Sequence, residues 1–453
     1  MKNPLPIYFI LFFISLLAVQ GQEHPRSKHV VLISVDGFRP NFYLEEKWPA
    51  PNLKMMAREG VSAKGVRGVF PSVTYPSHTT LITGAMPISH GIYYNSPFEP
   101  KGQTGRWYWE SDLIRTPTLW DAVRAAGKKS ASLIWPVSVG APIDYNIPEV
   151  WTLDESYGRV EPMRDNENPE GLLKEMEEEV LGKLNATTFN GDYLNREDRT
   201  GEMGAFILEK YQPALMTIHL IATDHFQHEQ GRDGEKVHTA IAAVDRAIGK
   251  IMEAATRADI HKETTFIITG DHGFVDIHSA LSPNIWLVEE GLMENKEDRG
   301  NWRAAFHTSG ASAFLHLKDP KDAETLNLVL NKLKNLPDNY QKLFRIVDRE
   351  ALDAIGADPN AALALAPIKG IAMSSSAKGK VLTPRSGGTH GYFPDFAHIE
   401  TGFVTWGAGI ASGKTIEKMG LEDVAPLIAE LLQLKFEPLN GVLYPGILKE
   451  EEK

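Results

Sequence analysis

The chain has 453 residues, of which 42% are hydrophobic and 23% are charged, so it is long enough for one large domain with insertions or for two or three smaller ones. Its net charge of −12 disfavours a nucleic-acid duplex as the main partner, because duplex-binding surfaces are usually basic. The lack of cysteine excludes disulfide bonds and a lipid anchor on an N-terminal cysteine.

The first 21 residues have the pattern of a secretory signal peptide. One lysine precedes an apolar run from Pro6 to Val19, which is short for a membrane span and is followed by small and polar residues near Gly21. An uncleaved anchor is the alternative. We expect a signal peptide over residues 1–21, a periplasmic or secreted location, and no stable membrane anchor.

After this segment, apolar strand-like runs alternate with helix-like segments. The strand-like runs are His29–Gly37, Ser130–Trp135, Ala214–Asp224, Thr264–Gly273 and Glu400–Gly409. The helix-like segments are Pro51–Gly60, Thr116–Lys129, Lys236–Thr256 and Glu422–Leu434. This alternation predicts an α/β fold in which a mostly parallel sheet is flanked by helices on both faces.

Two stretches interrupt the alternation. Residues 148–202 are polar and acidic, and we interpret them as a helical insertion or lid. Residues 278–385 mix strand-like and helix-like sequence, and we expect them to form an inserted cap subdomain. The catalytic domain would then comprise residues 28–277 and 386–450.

Acidic residues and histidines follow the predicted strands. The strand ends carry Asp36, Asp224, and Asp271 with His272. Because ligands bind at the carboxyl ends of strands in open α/β sheets, these side chains are expected to converge. His228 follows Asp224 by four residues, so both reach one point on a helical turn, and His390 lies in the glycine-rich sequence GGTHGY. Aspartate and histidine without cysteine suit zinc in a two-metal site.

Other acids and histidines are interpreted without a direct role. We expect Asp245 on a helix surface and Asp276 in a loop, and we expect His307 and His398 to be structural or exposed. His78 is expected to form a supporting hydrogen bond near the site.

The sequence GVFPSVTYPSHTTLITG, from Gly68 to Gly84, offers several hydroxyl groups as nucleophiles. A hydroxyl needs a base or a metal to react at neutral pH, and a helix N-terminus favours phosphate. We predict a helix that has Pro76 at its first position and ends before Gly84. Thr74 would lie at the helix entry and is the favoured nucleophile, while Ser72 is the second candidate.

The ordered motifs VDG, PSVTYPSHTTLITG, HGIYYN, DHFQH, GDHG and GTHGY resemble those of the nucleotide pyrophosphatase/phosphodiesterase family in the alkaline phosphatase superfamily. The resemblance runs from Val30 to the final helix, and it implies an alkaline-phosphatase-like core with two zinc ions. It implies that one ion binds Asp36, Thr74, Asp271 and His272, and that the other binds Asp224, His228 and His390. Thr74 would form a threonyl-phosphate ester, and Asn95 would hydrogen-bond a phosphate oxygen.

The residues around this site indicate the substrate class. Threonine-dependent monoesterases of the superfamily carry lysine and arginine near the metals, whereas Leu133–Tyr145 has neither, which favours diesters or pyrophosphates. Tyr75 and Trp107 are expected to stack on a nucleotide base. His219 departs from the family, because nucleotide-cleaving relatives often have tyrosine there. We therefore expect a zinc-dependent phosphodiesterase or nucleotide pyrophosphatase that acts on small molecules.

Three other functions stay open: an alkaline phosphomonoesterase, a choline or lysophospholipid phosphodiesterase, and a non-catalytic metal-dependent binder. A sulfatase is disfavoured, because sulfatases oxidise a cysteine or serine in a motif that ends in arginine. The chain has no cysteine, and the nucleophile segment has no arginine.

Overall fold

The structure, a computed structural model, describes residues 26–450. The predicted signal peptide at residues 1–21 therefore lies outside the described residues. Within residues 26–450, none of the helices combines the length and the apolar character that a membrane crossing requires.

The strands are short and buried over most of their length. In chain order they are β1 His29–Val35, β2 Val61–Ala63, β3 Val66–Arg67, β4 Ser130–Leu133, β5 Tyr145–Ile147, β6 Leu215–Leu220, β7 Thr264–Gly270, β8 Val275–Asp276, β9 Ser279–Leu281, β10 Ala304–Ser309, β11 Ser312–Leu317, β12 Phe344–Val347, β13 Leu363–Pro367, β14 Ile371–Met373, β15 Leu382–Pro384, β16 Gly388–Thr389, β17 Phe403–Gly407, β18 Lys414–Ile416 and β19 Met419–Gly420.

The α-helices alternate with these strands along most of the chain. They are α1 Asn41–Leu44, α2 Pro51–Glu59, α3 Thr74–Thr83, α4 Pro87–His90, α5 Leu119–Ala125, α6 Glu161–Asp165, α7 Leu172–Met176, α8 Tyr193–Tyr211, α9 Ala222–Gln230, α10 Glu235–Arg257, α11 Asn284–Glu289, α12 Ala323–Lys334, α13 Asp338–Gln341, α14 Arg349–Ala354 and α15 Val424–Leu432.

The central sheet has eight strands in the order β18-β2-β17-β7-β1-β6-β4-β5. Strands β7, β1, β6, β4 and β5 are parallel, and β17 runs antiparallel to β7 and β2. The mostly parallel sheet confirms the predicted fold class. The carboxyl ends of β1, β6 and β7 meet at one edge, so side chains that follow them come together.

Both faces of the sheet are covered. Along β1, Val31, Ile33 and Val35 pack into one apolar cluster with residues of α2, α8 and α10, and Val30 and Leu32 pack into another with residues of α3, α5 and α15. This two-residue alternation, with apolar side chains on both faces, is typical of a strand buried between helical layers.

Residues 278–385 contain a four-stranded antiparallel sheet in the order β10-β11-β13-β12, with α12 nearby in sequence. A separate apolar cluster supports this sheet, including Trp286, Phe306, Leu315 and Leu365. The cap subdomain and its boundaries stay a prediction.

Three local predictions were wrong in detail: the start of α3, the place of Asp224 at a strand end, and the exposure of Asp245. Helix α3 begins at Thr74, two residues before Pro76, because the first turn of a helix tolerates proline. Strand β6 ends at Leu220, and Asp224 lies in the first turn of α9. The helix begins there because the Glu197 carboxylate caps it, accepting hydrogen bonds from the N–H groups of Ile221 and Ala222.

Asp245 was expected on a helix surface, but it is buried on α10. Its Oδ2 accepts hydrogen bonds from the backbone N–H (3.1 Å) and side-chain Nδ2 (2.9 Å) of Asn52, and its Oδ1 accepts one from the N–H of Leu53 at 2.9 Å. Asp245 therefore caps the N-terminus of α2 from another helix.

Candidate metal and phosphate site

A cavity of about 400 Å³ lies at the carboxyl ends of β1 and β6. Asp36, Thr74 and Asn95 line it, together with Asp224, His228 and His390. Side chains that are far apart in the sequence thus share one cavity because parallel strands end at the same edge of the sheet.

One group of ligand-type side chains consists of Asp36, Asp271 and His272. Its ligand atoms all lie within 4.8 Å of one another. His272 Nε2 is 3.3 Å from Asp36 Oδ1 and 3.1 Å from Asp271 Oδ2. All three residues are buried, so two carboxylates and an imidazole face one another away from bulk water.

A second group consists of Asp224, His228 and His390, again with ligand atoms within 4.8 Å of one another. His228 Nε2 lies 3.3 Å from Asp224 Oδ1, and His390 Nε2 lies 3.5 Å from the same oxygen. The one-turn spacing of Asp224 and His228 on α9 aims both side chains at this point. The loop after β16 supplies His390 from the far end of the chain.

The three histidines are oriented in the same way. The Nδ1–H groups of His272, His228 and His390 donate to the backbone carbonyls of Gly273 (3.1 Å), Gly388 (2.9 Å) and Ser72 (3.0 Å), respectively. This hydrogen bond leaves the Nε2 lone pair of each ring pointing towards the carboxylates. A backbone partner at one nitrogen that frees the other is the usual arrangement of a metal-binding histidine.

Burial and mutual charge perturb these groups strongly. Burial, then the charges of Asp271 and Asp224, raise the pKa of Asp36 well above its usual range. Burial opposes the ionisation of Asp271, yet the neighbouring imidazoles of His272 and His78 bring its pKa below the usual range. Burial, with the charge of His272, lowers the pKa of His390 to about 3. The protein therefore opposes the ionisation of Asp36, and a cation beside this carboxylate would favour its charged form.

The donor atoms fit divalent metal ions. Asp36 Oδ1, Asp271 Oδ2, His272 Nε2 and Asp224 Oδ1 are buried and have no hydrogen-bond partner among the described residues. Buried polar atoms are rarely left without a partner, and each of these atoms belongs to one of the two groups. A mixed carboxylate and imidazole set suits zinc, and two adjacent sets suit a two-metal centre.

Thr74 is the first residue of α3, and its side chain lines the cavity. His78, one turn later, donates from Nδ1 to the carbonyl of Thr74 at 2.8 Å and so supports that turn. Ser72 is fully buried, and its hydroxyl donates to the carbonyl of Tyr392 at 3.0 Å. Of the two hydroxyls that the sequence offered as nucleophiles, only that of Thr74 lines the cavity.

Asn95 is fixed by the same helix. Its side-chain Oδ1 accepts a hydrogen bond from the N–H of Tyr75 at 2.9 Å, which orients the amide. Since Oδ1 is engaged, the Nδ2 group is the part of the side chain that remains to donate into the cavity.

The two aromatic residues that the sequence indicated differ in exposure. Tyr75 is fully buried and packs edge-on against Trp107, with ring centroids 5.1 Å apart. Trp107 is half-buried and also contacts Trp151, at 4.9 Å between centroids. Trp107 and Trp151 line the cavity together with Tyr75, whose side chain is the more deeply buried.

His219 lies behind the metal-ligand groups. Its Nε2 is 3.1 Å from Asp36 Oδ2, its ring packs against that of His78, and the side chain is buried. His219 is therefore a buried neighbour of the Asp36 carboxylate.

Several cavity residues were missed from the sequence. They are Glu149, Trp151, Arg159, Met163, Tyr193 and Arg196, all from the segment that was interpreted as an insertion or lid. The polar composition of residues 148–202 located the segment, but no periodicity or motif distinguished these side chains from surface residues.

The sequence model of the type I phosphodiesterase / nucleotide pyrophosphatase family matches residues 30–393. The chain belongs to this family. Venom phosphodiesterase 2 of Crotalus adamanteus is 23% identical over 424 residues, which cover 91% of this chain and 46% of the venom protein. Ectonucleotide pyrophosphatase/phosphodiesterase family member 7 of Rattus norvegicus is 23% identical over 445 residues, which cover 95% of this chain and 88% of the rat protein. The chain thus spans about half the length of the venom phosphodiesterases that it matches.

Among solved structures, murine ectonucleotide pyrophosphatase / phosphodiesterase 5, in an inactive form in complex with AMP, is 21% identical with a TM-score of 0.66. The similarity covers 92% of this chain and 97% of the murine chain. It shows that this family member shares the alkaline-phosphatase-like fold, as the sequence motifs predicted. The roles of individual residues stay predictions.

Proposed function

We propose that this family member is a metal-dependent phosphodiesterase or nucleotide pyrophosphatase that uses Thr74 as its nucleophile. The observation that carries the proposal is the cavity that Thr74 and Asn95 share with Asp36 of the first aspartate–histidine group and with all three residues of the second. The relatives that are named phosphodiesterases, and the AMP complex of the murine protein, support a nucleotide-type substrate.

The proposed reaction is an in-line displacement at phosphorus. Thr74 Oγ1 would attack, the bond to the leaving oxygen would break, and the resulting threonyl-phosphate ester would then be hydrolysed by water. The position of Thr74 at the start of α3 favours this reaction, because free N–H groups and the helix dipole stabilise phosphate there. Asn95 would donate from Nδ2 to a phosphate oxygen and hold it in line.

Two zinc ions are proposed as the cofactors. One would be held by Asp36, Thr74, Asp271 and His272, and the other by Asp224, His228 and His390. Bound there, zinc would supply Lewis-acid stabilisation of the attacking and leaving oxygens. The fully buried Asp271 carboxylate favours this assignment, because its Oδ2 has no hydrogen-bond partner among the described residues and a buried charge is costly unless a cation compensates it.

Phosphomonoesterase activity is the second candidate. Leu133–Tyr145 carries no basic residue, but Arg159 and Arg196 line the cavity from the other side. A monoester carries an additional negative charge that such residues can bind. This observation keeps the second candidate open.

The test compares three substrates, each of which releases p-nitrophenol when the zinc-loaded protein hydrolyses it. They are bis-p-nitrophenyl phosphate, p-nitrophenyl phosphate and the p-nitrophenyl ester of thymidine 5′-monophosphate. We expect the thymidine ester to react fastest and the monoester slowest. Turnover of the monoester alone would contradict the proposal and favour the phosphomonoesterase. The exported location, which the N-terminal sequence predicts, stays a prediction.

A further inference from the structure

The cavity has a second wall besides the metal-ligand groups. Residues between 149 and 196 form it, and they come from the segment that joins β5 to α8 and from α8 itself. A volume of about 400 Å³ is sufficient for a mononucleotide-sized organic group and too small for a duplex. The chemistry of this wall therefore bears on the organic group of the ester.

Part of the wall is aromatic. Trp151 contacts Trp107 at 4.9 Å and Trp109 at 5.3 Å between ring centroids, both edge-on. Such a cluster presents rigid apolar surface to a flat ring. The aromatic cluster alone would also suit a quaternary ammonium group, so charge must decide between the two.

The charge on this wall is positive. The Arg159 guanidinium lies 5.9 Å from the centre of the Trp151 ring, and the Arg159 side chain is exposed. Arg196 is half-buried on α8, with its guanidinium 5.2 Å from the centre of the Phe189 ring. Among the described residues that line this wall, Glu149 is the one carboxylic acid.

Glu149 does not cancel this charge fully. Burial raises the pKa of Glu149 to about 7, and the nearby positive charge of Arg196 opposes that rise. Even with Glu149 ionised, two guanidinium groups and one carboxylate give this wall a formal excess of positive charge.

We propose that this wall is a subsite for a second phosphate group, carried by the organic group of the ester, with Arg159 and Arg196 as the residues that determine this specificity. The inference rests on the proposed phosphodiesterase function. The preferred substrate class is then a nucleotide-type diester that bears a further phosphate. A choline ester is disfavoured, because both guanidinium groups repel a quaternary ammonium group and Arg159 already lies by the Trp151 ring.

Four probes with the same leaving group test the inference. They are bis-p-nitrophenyl phosphate, thymidine 5′-(p-nitrophenyl phosphate), its 3′-phosphorylated derivative, and p-nitrophenylphosphorylcholine. We expect kcat/KM for the 3′-phosphorylated probe to exceed that for the unphosphorylated thymidine probe by roughly tenfold or more, the size of a charge-assisted hydrogen-bond effect, and mainly through KM. The choline probe should react slowest.

Arg159→Gln is the first variant, because the exposed side chain can be replaced without disturbing the core. It should reduce the ratio between the two thymidine probes by roughly tenfold, and Arg196→Gln should act in the same direction. Arg199→Gln is the matched control for Arg196→Gln, because Arg199 lies on the same helix and carries the same charge. Arg199 pairs with Glu202 at 3.1 Å and does not line the cavity. The control should keep the wild-type ratio.

The outcomes separate the two proposals. Hydrolysis of bis-p-nitrophenyl phosphate with equal kcat/KM for the two thymidine probes would overturn this inference and leave the proposed function intact. With p-nitrophenyl phosphate assayed as a fifth compound, a loss in Arg159→Gln that is confined to this monoester would also overturn the inference, because the arginine would then serve monoesters. Failure of all four probes with the zinc-loaded protein would overturn both proposals. Calorimetry adds a readout without turnover: thymidine 3′,5′-bisphosphate should bind more tightly than thymidine 5′-monophosphate, and Arg159→Gln should reduce that difference.

Discussion

The imidazole rings of His272 and His390 lie parallel, with centroids 3.6 Å apart and planes that differ by 6°. His272 belongs to the group with Asp36, and His390 belongs to the group with Asp224. The two groups of ligand-type side chains are therefore adjacent, as they would have to be for two ions to act on one phosphate.

His390→Ala removes one ligand from the second group and none from the first. We expect the zinc content to fall from two ions to one per chain, together with loss of phosphodiesterase activity, because the remaining ligands Asp224 and His228 bind an ion weakly. Plasma mass spectrometry of the dialysed protein measures the content. His398→Ala is the control, because His398 is exposed and should leave both ions bound. Two ions in His390→Ala would remove that residue from the ligand set.

Thr74→Ala should lower turnover on the order of 10³-fold or more, because the nucleophile is lost. Thr74→Ser should keep most of that activity, since it retains the hydroxyl at the same position. Steady-state kinetics on the thymidine ester compares the two variants, and a thermal melt checks folding. Ser72→Ala serves as a second comparison, because its hydroxyl donates to a backbone carbonyl. Near-normal turnover in Thr74→Ala would transfer the role to Ser72 or to water.

Much of this site was predictable because its ligands follow apolar runs. Asp36 and Asp271 come directly after β1 and β7, and a buried parallel strand that ends in an acid is visible in the sequence. The second wall was not predictable. Arg159 and Arg196 look like ordinary surface charges, and only the path of the chain between β5 and α8 brings them to the cavity.

Asp245 shows a further reason why sequence reasoning fails. A helix cap is usually recognised from residues next to the helix in the chain, but Asp245 caps α2 from the middle of α10. No local motif records such a contact. The start of α3 was misplaced for a related reason, since Pro76 is compatible with several positions in the first turn.

Asn95 has two separable roles that substitutions can distinguish. Asn95→Asp keeps an oxygen that accepts the Tyr75 N–H but loses the Nδ2 donor and adds negative charge, whereas Asn95→Ala loses both. We expect both variants to lower kcat/KM by on the order of 10²-fold, because the phosphate donor is lost in each. Only Asn95→Ala should also lower the melting temperature. Unchanged kinetics in Asn95→Asp would exclude the amide from phosphate binding.

Asp245→Ala should destabilise the protein without affecting the metal site. Three hydrogen bonds to the start of α2 are lost, and buried N–H groups remain without partners, so we expect a loss of roughly 1–3 kcal/mol in the free energy of unfolding. Urea denaturation followed by circular dichroism measures it, and the zinc content should not change. Asp112→Ala is the control, because Asp112 is an exposed acid. Equal denaturation midpoints for the two variants would contradict the capping role.

Buried His90 should make stability depend on pH. Its Nδ1 accepts the N–H of Ile92 at 3.1 Å and its Nε2 lies 3.1 Å from Thr80 Oγ1, so both nitrogens are engaged in the neutral ring. Burial lowers the pKa of His90 to about 3. The unfolded chain binds this proton near pH 6.5 and the folded chain does not, so the stabilisation is complete above pH 6.5 and is lost as the pH falls below it.

The slope is at most about 1.4 kcal/mol per pH unit for this one group. His90→Asn keeps an acceptor for the Ile92 N–H and removes the titration. We expect the free energy of unfolding of this variant to fall less steeply than that of the wild type between about pH 6.5 and 4. Urea denaturation across that range, with both proteins stripped of metal, gives the two curves. Parallel curves would show that His90 is protonated equally in the folded and unfolded chains, and the pH dependence would then come from other buried histidines such as His307, whose pKa burial also lowers to about 3.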